Sequence, residues 1–145
     1  YYEIYIEEDN RRHYSFMYLF VPLSSQAYSY PKHLYGNDQI QLAWGHMGTG
    51  AYIDKTSVVN EIYDPPYYKL AANVIHYDWD TNKEYSVETN YYEYNTNTGA
   101  IYITSPRGTW GPYYDRPRTN TSSNQRSVEE AKIVWKTVYG MNWKW

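Results

Sequence analysis

The chain has 145 residues and a formal net charge of −3, and a chain of this length can bury one core without disulfides or metals. The absence of cysteine excludes disulfides, thiolate catalysis, iron–sulfur clusters and thiolate zinc sites. Its 13 Lys and Arg residues are outnumbered by 16 Asp and Glu, which argues against a nucleic-acid partner. No apolar run is long enough to predict a membrane span.

Tyrosine dominates the aromatic residues, with 21 Tyr against 2 Phe and 6 Trp. A buried phenol needs a hydrogen-bond partner, so a core selected for packing alone would use Phe freely. The preference for Tyr therefore predicts rings that lie on the faces of a sheet with their hydroxyls in water. Such a surface suits a ligand platform, and it equally suits the ordinary exposed side of a β-sheet.

The first part of the chain predicts two strands and a loop. Tyr1–Glu7 alternates apolar and acidic residues, as a half-buried strand does, and Tyr14–Val21 predicts a more buried strand that Pro22 ends. Residues 24–38 predict a loop. Because the first residue is Tyr rather than Met, we expect a cleaved export signal or, as the alternative, a fragment.

Strand signals continue through the next thirty residues. Gln39–Trp44 predicts a strand, and Gly45–Gly50, with three glycines in six residues, predicts a bend or bulge. A short strand over Ala51–Asp54 and a longer one over Thr56–Tyr63 should follow. The Asp-Pro-Pro sequence at 64–66 should end the second of these strands.

Three further strands form the clearest pattern in the chain. Tyr67–Asp78 has apolar residues at its even positions, which predicts that Leu70 and its even-numbered neighbours face a core. Glu84–Tyr94 and Gly99–Thr104 follow after short polar turns. Short links join antiparallel neighbours, so these three strands should form a meander.

The C-terminal third predicts a long connector and then the one helix. Ser105–Asn124 holds three prolines and should be a loop, with Trp110 holding it against the body. Ser127–Glu130 has the pattern of a capping box at a helix start, and Gly140 should end the helix. Strands first and a helix last predict a single α+β domain over residues 1–145, mainly an antiparallel sheet with one C-terminal helix packed on a face.

Two histidine-containing segments are candidates for chemistry. His76, Asp78 and Asp80 alternate along a strand and could together hold a metal ion. On an extended strand, however, these three residues would span about 13 Å, which is too far for one ion. The simpler prediction is that His76 caps the buried face while the two Asp residues open a turn. His46 lies among glycines without a nucleophile in a known motif. We therefore predict no catalytic residue, no metal site and no cofactor.

Adjacent tyrosines on a strand point to opposite faces, so each pair should place one ring in the core and one outside. The outward rings of neighbouring strands would then form a row across the sheet. The aromatic residues predicted to form this binding surface are Tyr67, Tyr92, Tyr94, Tyr113, Tyr114 and Trp110. Such a row could contact a protein partner, a second copy of the chain or a polysaccharide.

Three segments carry a family resemblance: residues 34–59, with Tyr52-Ile-Asp followed by Ser57-Val; residues 63–74; and Val138-Tyr-Gly-Met141. Together they resemble a group of exported bacterial proteins of uncharacterised function, which is in turn similar to the surface-adhesin protein E family. The resemblance covers residues 34–145 and leaves 1–33, with the N-terminal strands and loop, outside. It implies a six-stranded antiparallel sheet with a packed helix, displayed on or under the outer membrane.

These patterns predict a non-catalytic, tyrosine-rich, adhesin-like surface protein, exported to the periplasm, the outer membrane or the cell exterior. It would bind a macromolecular partner or self-associate through its aromatic surface. Two alternatives stay open. A carbohydrate-binding module would show a planar row of rings with polar side chains between them, and a small exported enzyme would place His46 or His76 within hydrogen-bond reach of a carboxylate in a cleft.

Overall fold

The computed structural model describes residues 28–115 and 122–144 of the chain. The strands predicted over Tyr1–Glu7 and Tyr14–Val21 lie outside the described residues, as does part of the connector before the helix. A short 3-10 turn at Leu34–Gly36 precedes the sheet.

Six antiparallel strands form one sheet in chain order, and a helix follows them. The elements are β1 (Ile40–His46), β2 (Thr49–Asp64), β3 (Tyr67–Asp78), β4 (Lys83–Asn95), β5 (Ala100–Ser105), β6 (Gly108–Tyr113) and α1 (Ser122–Tyr139). Both the predicted α+β class and the predicted meander, β3 to β5, are confirmed. Within residues 28–115 and 122–144, no helix has the length and apolar composition that crossing a membrane requires.

The two strands predicted over Ala51–Asp54 and Thr56–Tyr63 are one strand, β2. Its pairing with β3 is interrupted between Asp54 and Val59 and then resumes. Inside this irregularity the Asp54 carboxylate accepts a hydrogen bond from the Thr56 amide at 3.0 Å, and Ser57 Oγ donates to the Asp54 carbonyl at 2.6 Å. These local bonds replace the missing ladder bonds, so the chain continues as one strand.

The glycine-rich bend is a tight hairpin between β1 and β2. Met47 and Gly48 form its two-residue loop with φ of 47° and 81°, and His46 pairs with Thr49 across it. Positive φ at both loop positions is the geometry that matches the twist of the flanking strands.

The segment Ser105–Asn124, predicted to be a loop because of its three prolines, contains the strand β6. β6 pairs with β5 through Thr104 and Thr109, and Ile103 faces Trp110 in the register. Pro112 has no amide hydrogen to donate to a neighbouring strand. It is tolerated because β6 is an edge strand, which pairs on one side only.

The predicted helix start is wrong, and the predicted helix end is confirmed. Because α1 begins at Ser122, Ser127 lies in the helix interior, and Glu129 and Glu130 are not in the first turn, so no capping box forms there. At the other end the Gly140 amide donates to the Lys136 carbonyl at 2.9 Å, with a φ of 68°. Glycine adopts this left-handed conformation at low cost.

Helix α1 covers the even-numbered face of β3, and the main core lies between them. Burial of this face is confirmed for Leu70, Ala72 and Val74. The buried side chains of this cluster include Leu70, Tyr92, Tyr94, Ile101, Trp135 and Trp143. The opposite face of β3 is also buried at one end, where Leu34 of the 3-10 turn lies in a second cluster with Tyr52, Ile75 and Tyr77.

A bulge in β4 decides which of its side chains face the helix. His76 pairs with Ser86 while Tyr77 pairs with Glu84, so Tyr85 is an extra residue on β4. An extra residue moves every later side chain to the other face of the sheet. From Ser86 onward the even positions of β4 therefore lie opposite the even positions of β3, as Tyr92 lies opposite Leu70.

Candidate functional site

Two members of the predicted aromatic surface lie in the core. Tyr92 is 0% exposed and Tyr94 is 2% exposed, so their predicted outward position is wrong, and the bulge at Tyr85 is the cause. The Tyr92 hydroxyl donates to Glu130 Oε2 at 3.1 Å, and the Tyr94 hydroxyl donates to the Ala131 carbonyl at 2.7 Å. Burial raises the pKa of both phenols well above the ordinary value.

The other predicted members do not form one surface. Tyr67 is exposed at the start of β3, whereas Trp110 is exposed on β6, three strands farther across the sheet, a strand spacing of about 14 Å. Tyr113 is half-buried against the main core, and Tyr114 is half-buried just after β6. Since Trp110 is 44% exposed, β6 is held by its pairing with β5 rather than by a buried indole as predicted.

A different aromatic surface lies on the side of the sheet away from α1. Its members are Val59, Ile62, Lys69, Tyr91, Glu93 and Tyr102, here called the open face. Lys69 pairs in the register with Glu93, which pairs with Tyr102, so these side chains form a row across three strands. Tyr91 and Tyr102 were not among the predicted surface residues, although Tyr102 alternates with two buried isoleucines and Tyr91 is the neighbour of the predicted Tyr92.

The open face combines apolar exposure with charges of both signs. Val59 is 54% exposed, Ile62 is 48% exposed and Tyr102 is 39% exposed. Lys69 Nζ lies 3.8 Å from carboxylate oxygens of both Glu61 and Glu93, and 5.1 Å from the centroid of the Tyr91 ring. This mixture of aromatic and aliphatic side chains with a polar row is typical of protein-binding surfaces.

A polar pocket of about 210 Å³ lies on the helix side of the sheet. The residues that line it are His76, Tyr85, Ser86, Glu88, Arg107 and Arg126. The bulge creates this site, because it turns Ser86 and Glu88 toward the helix side, where apolar residues would otherwise lie. Of these residues, only His76 was a candidate predicted from the sequence.

Glu88 is the centre of the pocket. Its Oε1 atom lies 3.1 Å from His76 Nε2 and accepts a hydrogen bond from Arg107 Nη2 at 2.9 Å. Burial by itself raises the pKa of Glu88, but the hydrogen bond from His76 and the charge of Arg107 outweigh burial and hold the pKa below its ordinary value. Glu88 is therefore ionised at neutral pH, and His76 donates its Nε2 hydrogen to it.

Arg126 connects the pocket to a buried carboxylate on the helix. Arg126 Nη2 lies 3.4 Å from His76 Nε2, and Arg126 Nε donates to Glu130 Oε1 at 2.7 Å. Glu130 is only 2% exposed and also accepts hydrogen bonds from Tyr92 and Asn90. Three donors thus satisfy the buried carboxylate and join α1 to β4.

The residues weighed as metal ligands are separated. His76 faces the pocket, whereas Asp78 Oδ1 accepts from the Asp80 amide at 2.8 Å and Asp80 Oδ1 accepts from the Tyr28 hydroxyl at 2.8 Å. The prediction that these Asp residues open a turn is confirmed. Within the described part of the chain, no three His or acidic side chains lie close enough to hold a metal ion.

The geometric condition set for the enzyme alternative is met by His76 and not by His46. His76 lies within hydrogen-bond reach of Glu88 inside a pocket, and Ser86 is its direct neighbour across β3 and β4. His46 is exposed at the end of β1. The pair places one imidazole beside a carboxylate at the polar pocket.

The buried His76 should make stability depend on pH. Burial lowers the pKa of His76 and outweighs the hydrogen bond from Glu88, while the charge of Arg126 lowers it further. The unfolded chain, with a histidine pKa of 6.5, therefore binds more protons than the folded chain as pH falls below that value, and stability is lost.

Urea unfolding between about pH 7.5 and about pH 5 measures this effect. We expect the free energy of unfolding to fall over this range in the wild type and to fall less steeply in His76→Gln. The exposed His46→Gln is the matched control and should keep the wild-type slope. Equal slopes for His76→Gln and the wild type would contradict the burial argument.

No protein-family model, no curated protein and no solved structure matches this chain significantly. The assignment of a function therefore depends on the geometry of the open face and of the polar pocket.

Proposed function

We propose that this chain is a non-catalytic domain of the bacterial cell envelope that associates with a second copy of itself through the open face. The observation that carries the proposal is the exposed row of Lys69, Glu93 and Tyr102, flanked by exposed Val59 and Ile62. Exposed aliphatic and aromatic side chains on one sheet face favour association, because contact removes them from water.

Charge argues for a second copy rather than another protein. Lys69 and Glu93 lie side by side on β3 and β4, so the open face carries both signs next to each other. In a two-fold dimer the same surface faces itself, and a rotation can place each Lys69 against the Glu93 of the other copy. The surface is thus complementary to itself in charge, whereas a face of one sign would repel its copy.

The envelope location is supported by resemblance. Residues 34–145 resemble exported bacterial proteins with similarity to the surface-adhesin protein E family, and a six-stranded antiparallel sheet with one packed helix is the form which that resemblance implies. An adhesin-like role would use the dimer as the unit displayed at the cell surface. Fractionation of the native host, with the chain expected outside the cytoplasm, tests the location.

Sedimentation velocity from micromolar to near-millimolar concentration tests the association. We expect a concentration-dependent shift from monomer to dimer in the wild type. In Tyr102→Ser the dimer dissociation constant should rise about tenfold or more, because aromatic residues near the centre of an interface dominate its free energy. Val59→Ser should act in the same direction with a smaller effect.

Met141→Ser is the matched control, since Met141 is a 57% exposed apolar residue beyond the end of α1 and outside the open face. It should dimerise as the wild type does. A wild type that stays monomeric at every concentration contradicts the proposal. Saturable binding of soluble polysaccharides by a monomer would instead favour the carbohydrate-binding alternative.

A further inference from the structure

The side chains of the polar pocket offer more hydrogen-bond donors than acceptors. Arg107 and Arg126 each carry five N–H groups. The Arg107 side chain contacts Glu88 through Nη2 at 2.9 Å. Ser86 and Tyr85 add two hydroxyls. The one carboxylate, Glu88, already accepts at Oε1 from both His76 and Arg107. A ligand that complements this lining must therefore supply acceptors.

The electrostatic balance agrees with this donor excess. Of the charged groups that face the pocket, Arg107 and Arg126 are cationic and Glu88 is anionic. The Glu130 carboxylate contacts Nε of Arg126, whereas Nη2 of the same guanidinium lies 3.4 Å from His76 Nε2. Guanidinium groups bind carboxylate and phosphate oxygens through paired N–H groups, so two of them at one pocket favour an oxyanion.

His76 adds a group whose hydrogen-bonding capacity depends on pH. It lines the pocket, is 3% exposed, and its Nδ1 atom is buried with no hydrogen-bond partner among the described residues. Because Nε2 carries the hydrogen that is donated to Glu88, Nδ1 of the neutral ring is an acceptor, and it becomes a further donor only when the ring is protonated. A volume of about 210 Å³ suits a small group rather than a large cofactor.

We propose that the polar pocket binds a small oxyanion, a phosphate or carboxylate group, between the guanidinium groups of Arg107 and Arg126. Arg107, whose side chain is 66% exposed in the β5–β6 turn, closes on the anion from the solvent side. Arg126 is held in place from the helix by Glu130 and contacts the anion from the inner side. Ser86 and Tyr85 donate from β4.

Glu88 opposes an anion, and this makes the site sensitive to pH. Protonation of His76 adds a positive charge beside Glu88 and so offsets the repulsion between Glu88 and the bound anion. The groups that set this balance are His76, Glu88, Arg107, Arg126 and Glu130. The anion should therefore bind more tightly as the pH falls below the pKa of an ordinary histidine.

NMR titration of the wild-type chain tests the proposal. Sodium phosphate and sodium acetate are added in separate arms at constant ionic strength, and the His76 Cε1–H signal is assigned by its absence in His76→Gln. We expect a saturable shift of that signal with at least one anion. Tighter binding of phosphate would identify phosphate groups as the natural ligand, and tighter binding of acetate would identify carboxylates.

Arg107→Gln is the decisive variant, because an exposed turn residue can be changed without loss of the core. We expect its anion dissociation constant to rise about tenfold or more, since a charge-assisted hydrogen bond is lost. Lys136→Gln removes an exposed charge from the far end of α1 and should titrate as the wild type does. The proposal is overturned if Arg107→Gln binds like the wild type, or if sodium chloride shifts His76 as phosphate does. These outcomes are independent of dimerisation through the open face.

Discussion

Replacing Tyr92 with serine is expected to lower the free energy of unfolding by about 3–5 kcal/mol, as the loss of a large buried aromatic side chain does. Tyr92 is fully buried, and its neighbours Leu70 and Ile103 lie directly opposite it on both sides. The substitution would leave a cavity and remove one of the three donors to the buried Glu130 carboxylate. Urea unfolding followed by tryptophan fluorescence measures the loss.

Tyr102→Ser provides the matched comparison, because Tyr102 lies on the neighbouring strand β5 but faces away from the helix. At 39% exposed it should lose about 1 kcal/mol or less, as partly exposed positions usually do. The two variants remove the same atoms, so any difference reports the face on which each ring lies. Equal losses would contradict the register that the bulge at Tyr85 imposes.

Arg126→Met should destabilise the fold by about 3 kcal/mol, because it leaves a buried carboxylate without its counterion. The Glu130 side chain is 3% exposed, and Arg126 Nε at 2.7 Å is its nearest donor. Asn90 and Tyr92 would remain as its only partners among the described residues. Two neutral donors stabilise an ionised carboxylate less than a guanidinium does.

The double variant Arg126→Met with Glu130→Gln separates charge from packing. Glutamine keeps the shape of Glu130 and still accepts a hydrogen bond from Tyr92, so the double variant should recover most of the stability lost by the single one. Chemical unfolding of both variants at neutral pH gives the comparison. A double variant no more stable than Arg126→Met alone would show that the guanidinium contributes through packing instead.

One extra residue on β4 connects the two candidate surfaces. Beyond the bulge at Tyr85, the side chains of Glu88, Asn90 and Tyr92 face the helix side of the sheet. The same change places Tyr91 and Glu93 on the open face. The polar pocket and the open face therefore depend on a single irregularity in the register.

The sequence by itself determined the architecture. Alternation at the even positions of β3, short polar turns and the late helix pattern predicted a meander with a helix on one face, and each of these signals is local. The end of α1 at Gly140 followed from local chemistry as well, because only the residue at the C′ position needs a left-handed backbone. Local signals of this kind can be read without knowing what lies opposite.

Only the tertiary structure decided which side of β4 is buried and where α1 begins. The sequence pattern placed Tyr92 and Tyr94 on the outer surface, yet the bulge at Tyr85 turns the even positions of β4 to the helix side, where Asn90 donates to Glu130 of α1 and Glu88 contacts His76. Helix α1 begins at Ser122, so Glu130 lies in the helix interior rather than in a first-turn cap. In a strand, successive side chains alternate between the two faces of the sheet, so the register decides which set is buried. The register is set by contacts between residues far apart in the chain.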